Sequence, residues 1–189
     1  MKRLLTNAKR DGYRIIYIDE TMTTRKTVPD TEWARKKENM AVDLEKLDEP
    51  TLAVLCGISK ERGLEHHRIF EFSVNVDRFI EYLAGVKEAN PEDKICIFMD
   101  NLSAHTSDRA KAAMREHGFR MIYNVPYSPE YNPIEFVFSI FKANFRALRA
   151  QKLVGLIQTS HEAMVEQAVR AIKKKDIVNC INHVNKILN

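Results

Sequence analysis

Two apolar stretches of this chain run into an acid. Tyr17-Ile18 is followed by Asp19-Glu20-Thr21, and Phe98-Met99 by Asp100-Asn101. If the two stretches are parallel, adjacent strands, both aspartates emerge at the carboxyl edge of the sheet, where α/β folds bind ligands. Two carboxylates held side by side repel, and a hard divalent cation is the usual reason such a pair persists. A plainer account is that strands often end in Asp because Asp starts turns. A third acid, Glu135, lies in Tyr127-Ser128-Pro129-Glu130-Tyr131-Asn132-Pro133-Ile134-Glu135-Phe136. It too has a plainer account: Asn132 as N-cap, Pro133 at N1 and Glu135 at N3 compose a capping box.

The elements that must position these acids are legible in the hydrophobic pattern. Residues 13–19 are β-branched and aromatic, as in a strand buried on both faces. From Thr21 to Pro50 periodicity gives way to charge around a single Trp33. Residues 52–58 and 66–73 read as a hairpin turning through 59–63. A helix starts at an Asn75 N-cap, carries Phe79, Tyr82, Leu83 and Val86 on one face, and stops at Asn90-Pro91. A strand over 94–99, a helix over 107–117 closed by Gly118, and a strand over 119–125 follow. Residues 134–189 hold no proline and only Gly155, and read as two or three helices. The order implies a mixed sheet with helices packed on it.

Composition bounds the rest. A chain of 189 residues is one domain, and 44% hydrophobic with 30% charged residues excludes disorder. Cys56, Cys96 and Cys180 form no C-x-x-C pair, which excludes a cysteine zinc knuckle and a disulfide scaffold and fits an intracellular setting. No apolar run approaches the ~18 residues of a membrane span, and the basic start turns polar too soon for a signal peptide. The net charge of +4 is a mild bias toward anionic partners.

The Asp19 block, the Asp100-Asn101 block with His105 after it, and Ser128-Pro129-x-x-Asn132-Pro133-Ile134-Glu135 together resemble the three signature blocks of Tc/mariner transposases. The 34 residues between Asp100 and Glu135 match the branch whose third acid is Glu. The resemblance covers residues 13–150. It implies an α/β, ribonuclease H-like fold: a mixed five-stranded sheet flanked by helices, with a C-terminal helical segment over 151–189. It implies one DDE catalytic domain over 1–189, with residues 22–50, including Trp33, at the place of a clamp-like insertion. The family's N-terminal helix-turn-helix domains have no counterpart in this sequence. By the same resemblance, the chain is a metal-dependent DNA endonuclease and strand transferase. Asp19 would bridge two Mg²⁺ ions, with Mn²⁺ as a substitute, while Asp100 and Glu135 each complete one site. DNA ends and target are the implied partners, together with a homodimer, DNA-dependent or not, and a separate DNA-recognition subunit. The setting is intracellular, and nuclear in a eukaryotic host. The alternative is a silent, domesticated DNA-binding or assembly protein, which the intact acids argue against.

Further residues follow from position. Asn101, His105 and Asn132 are expected to support the metal site or touch DNA. Glu20 points to the other face of its strand from Asp19, which suggests a solvated or capping role. His66-His67 lacks acids at ligand spacing for zinc, and Lys173-Lys174-Lys175 reads as a solvated helix end. Between Glu135 and Glu162 there is no acid. On a helix from Ile134, the residues Lys142, Arg146 and Arg149 share a face with Glu135, beside the Ile134, Phe138, Phe141, Phe145 stripe. That face is expected to be a phosphate track.

Overall fold

The computed structural model describes residues 1–24 and 49–188. Strands β1 (Arg14–Thr23), β2 (Leu52–Ser59), β3 (Gly63–Glu71), β4 (Ile95–Met99) and β5 (Arg120–Tyr123) form one sheet in the order β3-β2-β1-β4-β5. The β1–β2 and β2–β3 pairs are antiparallel, and β1–β4 and β4–β5 are parallel. The helices are α1 (Lys2–Arg10), α2 (Val76–Glu88), α3 (Ser103–Thr106), α4 (Asp108–Glu116), α5 (Ile134–Leu153), α6 (His161–Arg170) and α7 (Lys174–Ile187). Among the described residues no helix is long and apolar enough to cross a membrane.

The alternation of side chains along β1 divides the core in two. Ile15 and Tyr17 pack with Phe138, Phe141 and Phe145 of α5, Met164 of α6 and Ile181 of α7. Ile16 and Ile18 pack on the other face with Phe79 and Leu83 of α2 and Met114 of α4. Burying each of these large side chains contributes about 1.5–3 kcal/mol, so both faces are firmly fixed to the sheet. Helix boundaries follow their caps. Asn75 accepts the Arg78 N–H at 2.9 Å and starts α2, and Ser107 accepts the Ala110 N–H at 3.2 Å and starts α4. Gly118, at φ 73°, ends α4 in the left-handed turn glycine favours.

The structure departs from the sequence reading in several places. β1 does not stop at Asp19 but continues to Thr23, because residues 19–23 pair with β2, from Asp19 opposite Cys56 to Thr23 opposite Leu52. Asp19 thus stands inside a strand, just beyond the last pair that β1 makes with β4, Tyr17 with Phe98. β3 starts at Gly63, three residues before the expected position. Helices α1 and α3 were not expected. α1 is a short, highly polar helix that buries only Leu5 and Ala8, and α3 is a single turn, so neither stands out as an apolar segment. Most of the insertion expected at 22–50, Trp33 included, lies outside the described residues.

Arg149 requires a correction. It is not part of a surface track: its side chain is 1% exposed. Nη1 donates to the Thr24 carbonyl at 3.0 Å, Nη2 lies 3.4 Å from Glu49 Oε2, and the guanidinium stands over the Phe145 ring at 5.9 Å. Glu49 also receives Lys152 Nζ at 2.8 Å and has His161 Nδ1 at 3.0 Å. On the helical wheel Arg149 falls only ~20° from Phe138, at the edge of the core stripe, and the charge of Glu49 offsets its desolvation. Arg149→Met leaves Glu49 with Lys152 and His161 but leaves the Thr24 carbonyl without its donor and empties the guanidinium's place over Phe145, so it should cost about 1–3 kcal/mol. Arg146→Met, at an exposed position of the same helix, should stay within ~0.5 kcal/mol. Urea midpoints of the two variants check the contrast.

Candidate active site

The parallel register of β1 and β4 sets Asp19 and Asp100 level, each two residues past the last pair, Tyr17 with Phe98. α5 brings the third acid. Asn132, buried just ahead of α5, donates from Nδ2 to the Ile18 carbonyl at 3.3 Å and to Asp19 Oδ2 at 3.2 Å. Its Oδ1 accepts the Ile134 N–H at 3.4 Å, and its carbonyl accepts the Glu135 N–H at 3.2 Å. One asparagine therefore staples the start of α5 to the strand that carries Asp19. Glu135 closes no capping box: the Asn132 N–H goes to the Pro129 carbonyl at 2.8 Å, and the Glu135 carboxylate lines a cleft of about 440 Å³ with Asp19 and Asp100.

Asp100 is held on one oxygen only. Oδ1 accepts the Leu102 N–H at 3.1 Å and lies 2.7 Å from His105 Nδ1. His105 is fully buried, its ring 4.5 Å from that of Phe79, and Nε2 is 3.5 Å from Glu20 Oε2. His105 is thus walled off from DNA but bonded to Asp100. Glu20 does face away from Asp19, yet it is not solvated: its side chain is 18% exposed and pairs with His105. Asn101 donates to the Asn124 carbonyl at 2.8 Å, tying the loop after β4 to the loop after β5. Asn124 was missed in the sequence, although it follows β5 as Asp100 follows β4. Lys142 is half-buried near Glu135, and Arg146 is exposed.

Charge accounts for the titration of the cluster. Burial, with the nearby charges of Asp100, Glu135 and Glu20, pushes Asp19 up to about 7 against the pull of the Glu20 N–H. Desolvation by the cleft wall raises Glu135, and Asp100 adds to this while Lys142 opposes it. Burial would raise Asp100 too, but the bonds from His105 and Leu102 outweigh it and hold the carboxyl below its ordinary value. Burial would lower His105, but Asp100 and Glu20 carry it up to about 9, so it is an imidazolium at neutral pH. Three oxygen-donor side chains lining one cleft, two of them with proton affinity raised chiefly by burial, suit a hard divalent cation in donor chemistry. They do not form a finished cage: among the described residues no three His, Cys, Asp or Glu side chains already converge on one point. His67, for its part, pairs with Glu166 at 2.8 Å.

A family model described as DDE superfamily endonuclease matches residues 14–157. The chain belongs to this family. No curated protein gives a sequence match. The crystal structure of the catalytic domain of Mos1 mariner transposase superposes on this chain with a TM-score of 0.62 at 15% identity, over 98% of this chain and 84% of that one. The Mos1 catalytic domain with raltegravir and Mg gives 0.63 at 15% identity, over 98% and 86%. The Mos1 strand transfer complex gives 0.65 at 15% identity, over 98% of this chain but 56% of that one. The likeness is one of fold, and it is the ribonuclease H-like architecture that the motif blocks implied.

The raised groups fix the sign of a pH dependence. Asp19, with a folded pKa above its unfolded one, costs stability that is fully felt only above about 7. His105 contributes stability that is complete below its ordinary value of 6.5 and lost as pH rises through about 9. Metal-free protein should therefore lose thermal stability steadily from pH 6 to pH 9. Asp19→Asn should flatten the lower part of this profile and His105→Gln the upper part. A Tm that rises over this interval in EDTA would contradict both assignments.

Proposed function

We propose that this DDE endonuclease cuts and joins DNA by two-metal phosphodiester chemistry, as the catalytic part of a transposase. Asp19, Asp100 and Glu135 are its metal-holding carboxylates. The observation that carries this reading is the presence of the three acids, one each from β1, the end of β4 and the start of α5, along one cleft where burial and then their charges raise Asp19. Asp19, Asp100 and Glu135 would hold the Mg²⁺ ions of such chemistry, with Mn²⁺ as a substitute. When bound, the ions activate the attacking oxygen and neutralise the leaving 3′ oxygen.

The chain's own residues do the positioning. Asn132 orients Asp19 by donating to Oδ2, so the carboxylate cannot turn back into the helix start. His105 occupies one oxygen of Asp100 and leaves the other to the cleft. A proton competes for Asp19 near neutrality, so cation affinity rises with pH through about 7. Water as nucleophile gives a nick, and a DNA 3′-hydroxyl in the same place gives integration. Lys142 and Arg146, beside Glu135 on α5, contact the phosphates leading away from the cleft. DNA ends and target are the partners, with a homodimer assembled through the insertion and a separate recognition domain or subunit supplying sequence specificity. In a eukaryotic host the protein works in the nucleus.

Asp19→Asn, Asp100→Asn and Glu135→Gln should each abolish Mn²⁺-dependent nicking of supercoiled plasmid, a loss beyond the ~10–100-fold expected for removing an outer partner such as Asn132 or His105. The thermal midpoints of Asp19→Asn and Glu135→Gln should hold or rise, because burial already disfavours both charges, whereas Asp100→Asn should lower the midpoint, because it takes the buried His105 imidazolium's partner away. Wild-type nicking by any of the three rejects that residue's role. In a separate test, Lys142→Glu with Arg146→Glu should flatten the dependence of log affinity on log salt by ~0.9 for every DNA phosphate that is no longer neutralised. An unchanged slope places the DNA elsewhere on the surface.

A further inference from the structure

Above its carboxylate floor the cleft has an apolar rim. Nine large apolar side chains are exposed among the described residues, and three of them line this one cleft: Leu102, Val125 and Tyr127. Tyr127 stands apart, because its side chain is 103% exposed and its backbone has a φ of 56°. A full aromatic ring in water forfeits hydrophobic free energy, and the left-handed region is unfavourable for a bulky residue. A slack loop would relieve both penalties. This loop is not slack. The buried Asn124 donates from Nδ2 to the Ser128 carbonyl at 2.7 Å and accepts the Val125 N–H on Oδ1 at 2.8 Å. Its own N–H is bonded to the Met99 carbonyl at 2.7 Å, and its carbonyl takes the Asn101 amide at 2.8 Å. Pro126 and Pro129 fix the backbone on either side. The bracket displays one ring at the mouth of the cleft and holds it there.

We propose that Tyr127 stacks an unpaired DNA base at the rim while the adjoining phosphodiester lies over Asp19, Asp100 and Glu135. The inference rests on the proposed DNA chemistry and adds the mode of recognition. The phosphate and base of one nucleotide are covalently tied, so a phosphodiester on the floor brings a base to the rim. There Leu102 and Val125 offer apolar contact and Tyr127 offers an uncovered π-face. An aromatic ring stacks any base, which suits a site that must accept the DNA on both sides of a cut. Stacking also offsets the cost of taking a base out of the duplex, a few kcal/mol per step. This gives the exposed, strained tyrosine a physical reason.

The test compares a blunt 20-base-pair duplex with the same duplex carrying a 3′ single-stranded overhang that contains 2-aminopurine, both in Ca²⁺, which carboxylates bind and which offsets the charge of the floor beneath the phosphodiester. The wild type and Tyr127→Trp should prefer the overhang and quench its emission. Tyr127→Ala should lose the quench and about 5- to 150-fold of the overhang affinity, the equivalent of ~1–3 kcal/mol per stacked base. Tyr127→Gly, which the left-handed backbone accommodates, should behave like Tyr127→Ala with full thermal stability and so exclude misfolding as the cause. Asp19→Asn should keep the quench while losing cleavage. A quench that persists in Tyr127→Ala and Tyr127→Gly overturns the proposal. So does a wild type with no overhang preference, or a Tyr127→Ala that only weakens self-association in sedimentation, which would assign the rim to a second copy. If instead the three carboxylate variants cut like wild type while the quench still depends on Tyr127, the catalytic reading fails and the stacking site stands.

Discussion

The parallel pairing of β1 with β4 is the constraint on which the rest of the molecule depends. Its register sets Asp19 level with Asp100, and neither strand could slip by one residue without turning its whole apolar set to the wrong face. Ile16 and Ile18 are locked against α2 and α4, and Ile15 and Tyr17 against α5, so the register is enforced from both sides of the sheet. The two acids are thus brought together by hydrophobic packing several residues away. Their repulsion is small beside the burial that opposes it. β4 then ends at Met99 while β1 runs on with β2, and this leaves an open flank at the level of the acids. The cleft occupies that flank.

How much of this was legible in the sequence varied with how local the signal was. The acids, the Asn75 and Ser107 caps and the central strands could be read directly, because each is written in a few adjacent residues. α1 could not, since a nine-residue helix that buries only Leu5 and Ala8 is too short and too polar to stand out from a charged terminus. Arg149 was misplaced for a different reason. Its wheel angle is ambiguous between core edge and surface, and what decides it is Glu49, far away in the chain. Glu20 shows the same limit. Alternation correctly sent it to the face opposite Asp19, but alternation is silent about His105 arriving there from the loop after β4. Tertiary partners of polar side chains, unlike hydrophobic faces, leave no periodic trace.

Charge at the site is distributed with a purpose that single residues conceal. Asp19, Glu20, Asp100 and Glu135 bring four negative charges to the edge of the sheet, and the buried cation among them is His105. That imidazolium lies between Glu20 and Asp100, on the far side of the sheet edge from the cleft. It neutralises the back of the cluster and leaves the front uncompensated. Lys142 offsets part of the charge at Glu135 alone. A site neutralised from within by lysine or arginine would have no need of a metal. Here Asp19 meets only an amide N–H from Asn132 and the Glu20 backbone, which orient its oxygens without cancelling its charge.

The same division of labour separates floor from rim. The floor is carried by β1, β4 and α5, whose positions follow from buried apolar area and change little with solvent conditions. The rim is carried by two short loops joined through Asn124 and Asn101, where order comes from hydrogen bonds and proline rather than from a core. Hydrogen bonds fix direction more sharply than apolar contact does, and a ring that must meet a flat partner needs direction more than depth. A floor anchored in the core can hold carboxylates against their own repulsion. A rim held only by loop bonds can carry a side chain in a conformation that no core position would tolerate. The left-handed Tyr127 and the repelling acids are therefore two unfavourable features of one cleft, each borne by the kind of support suited to it.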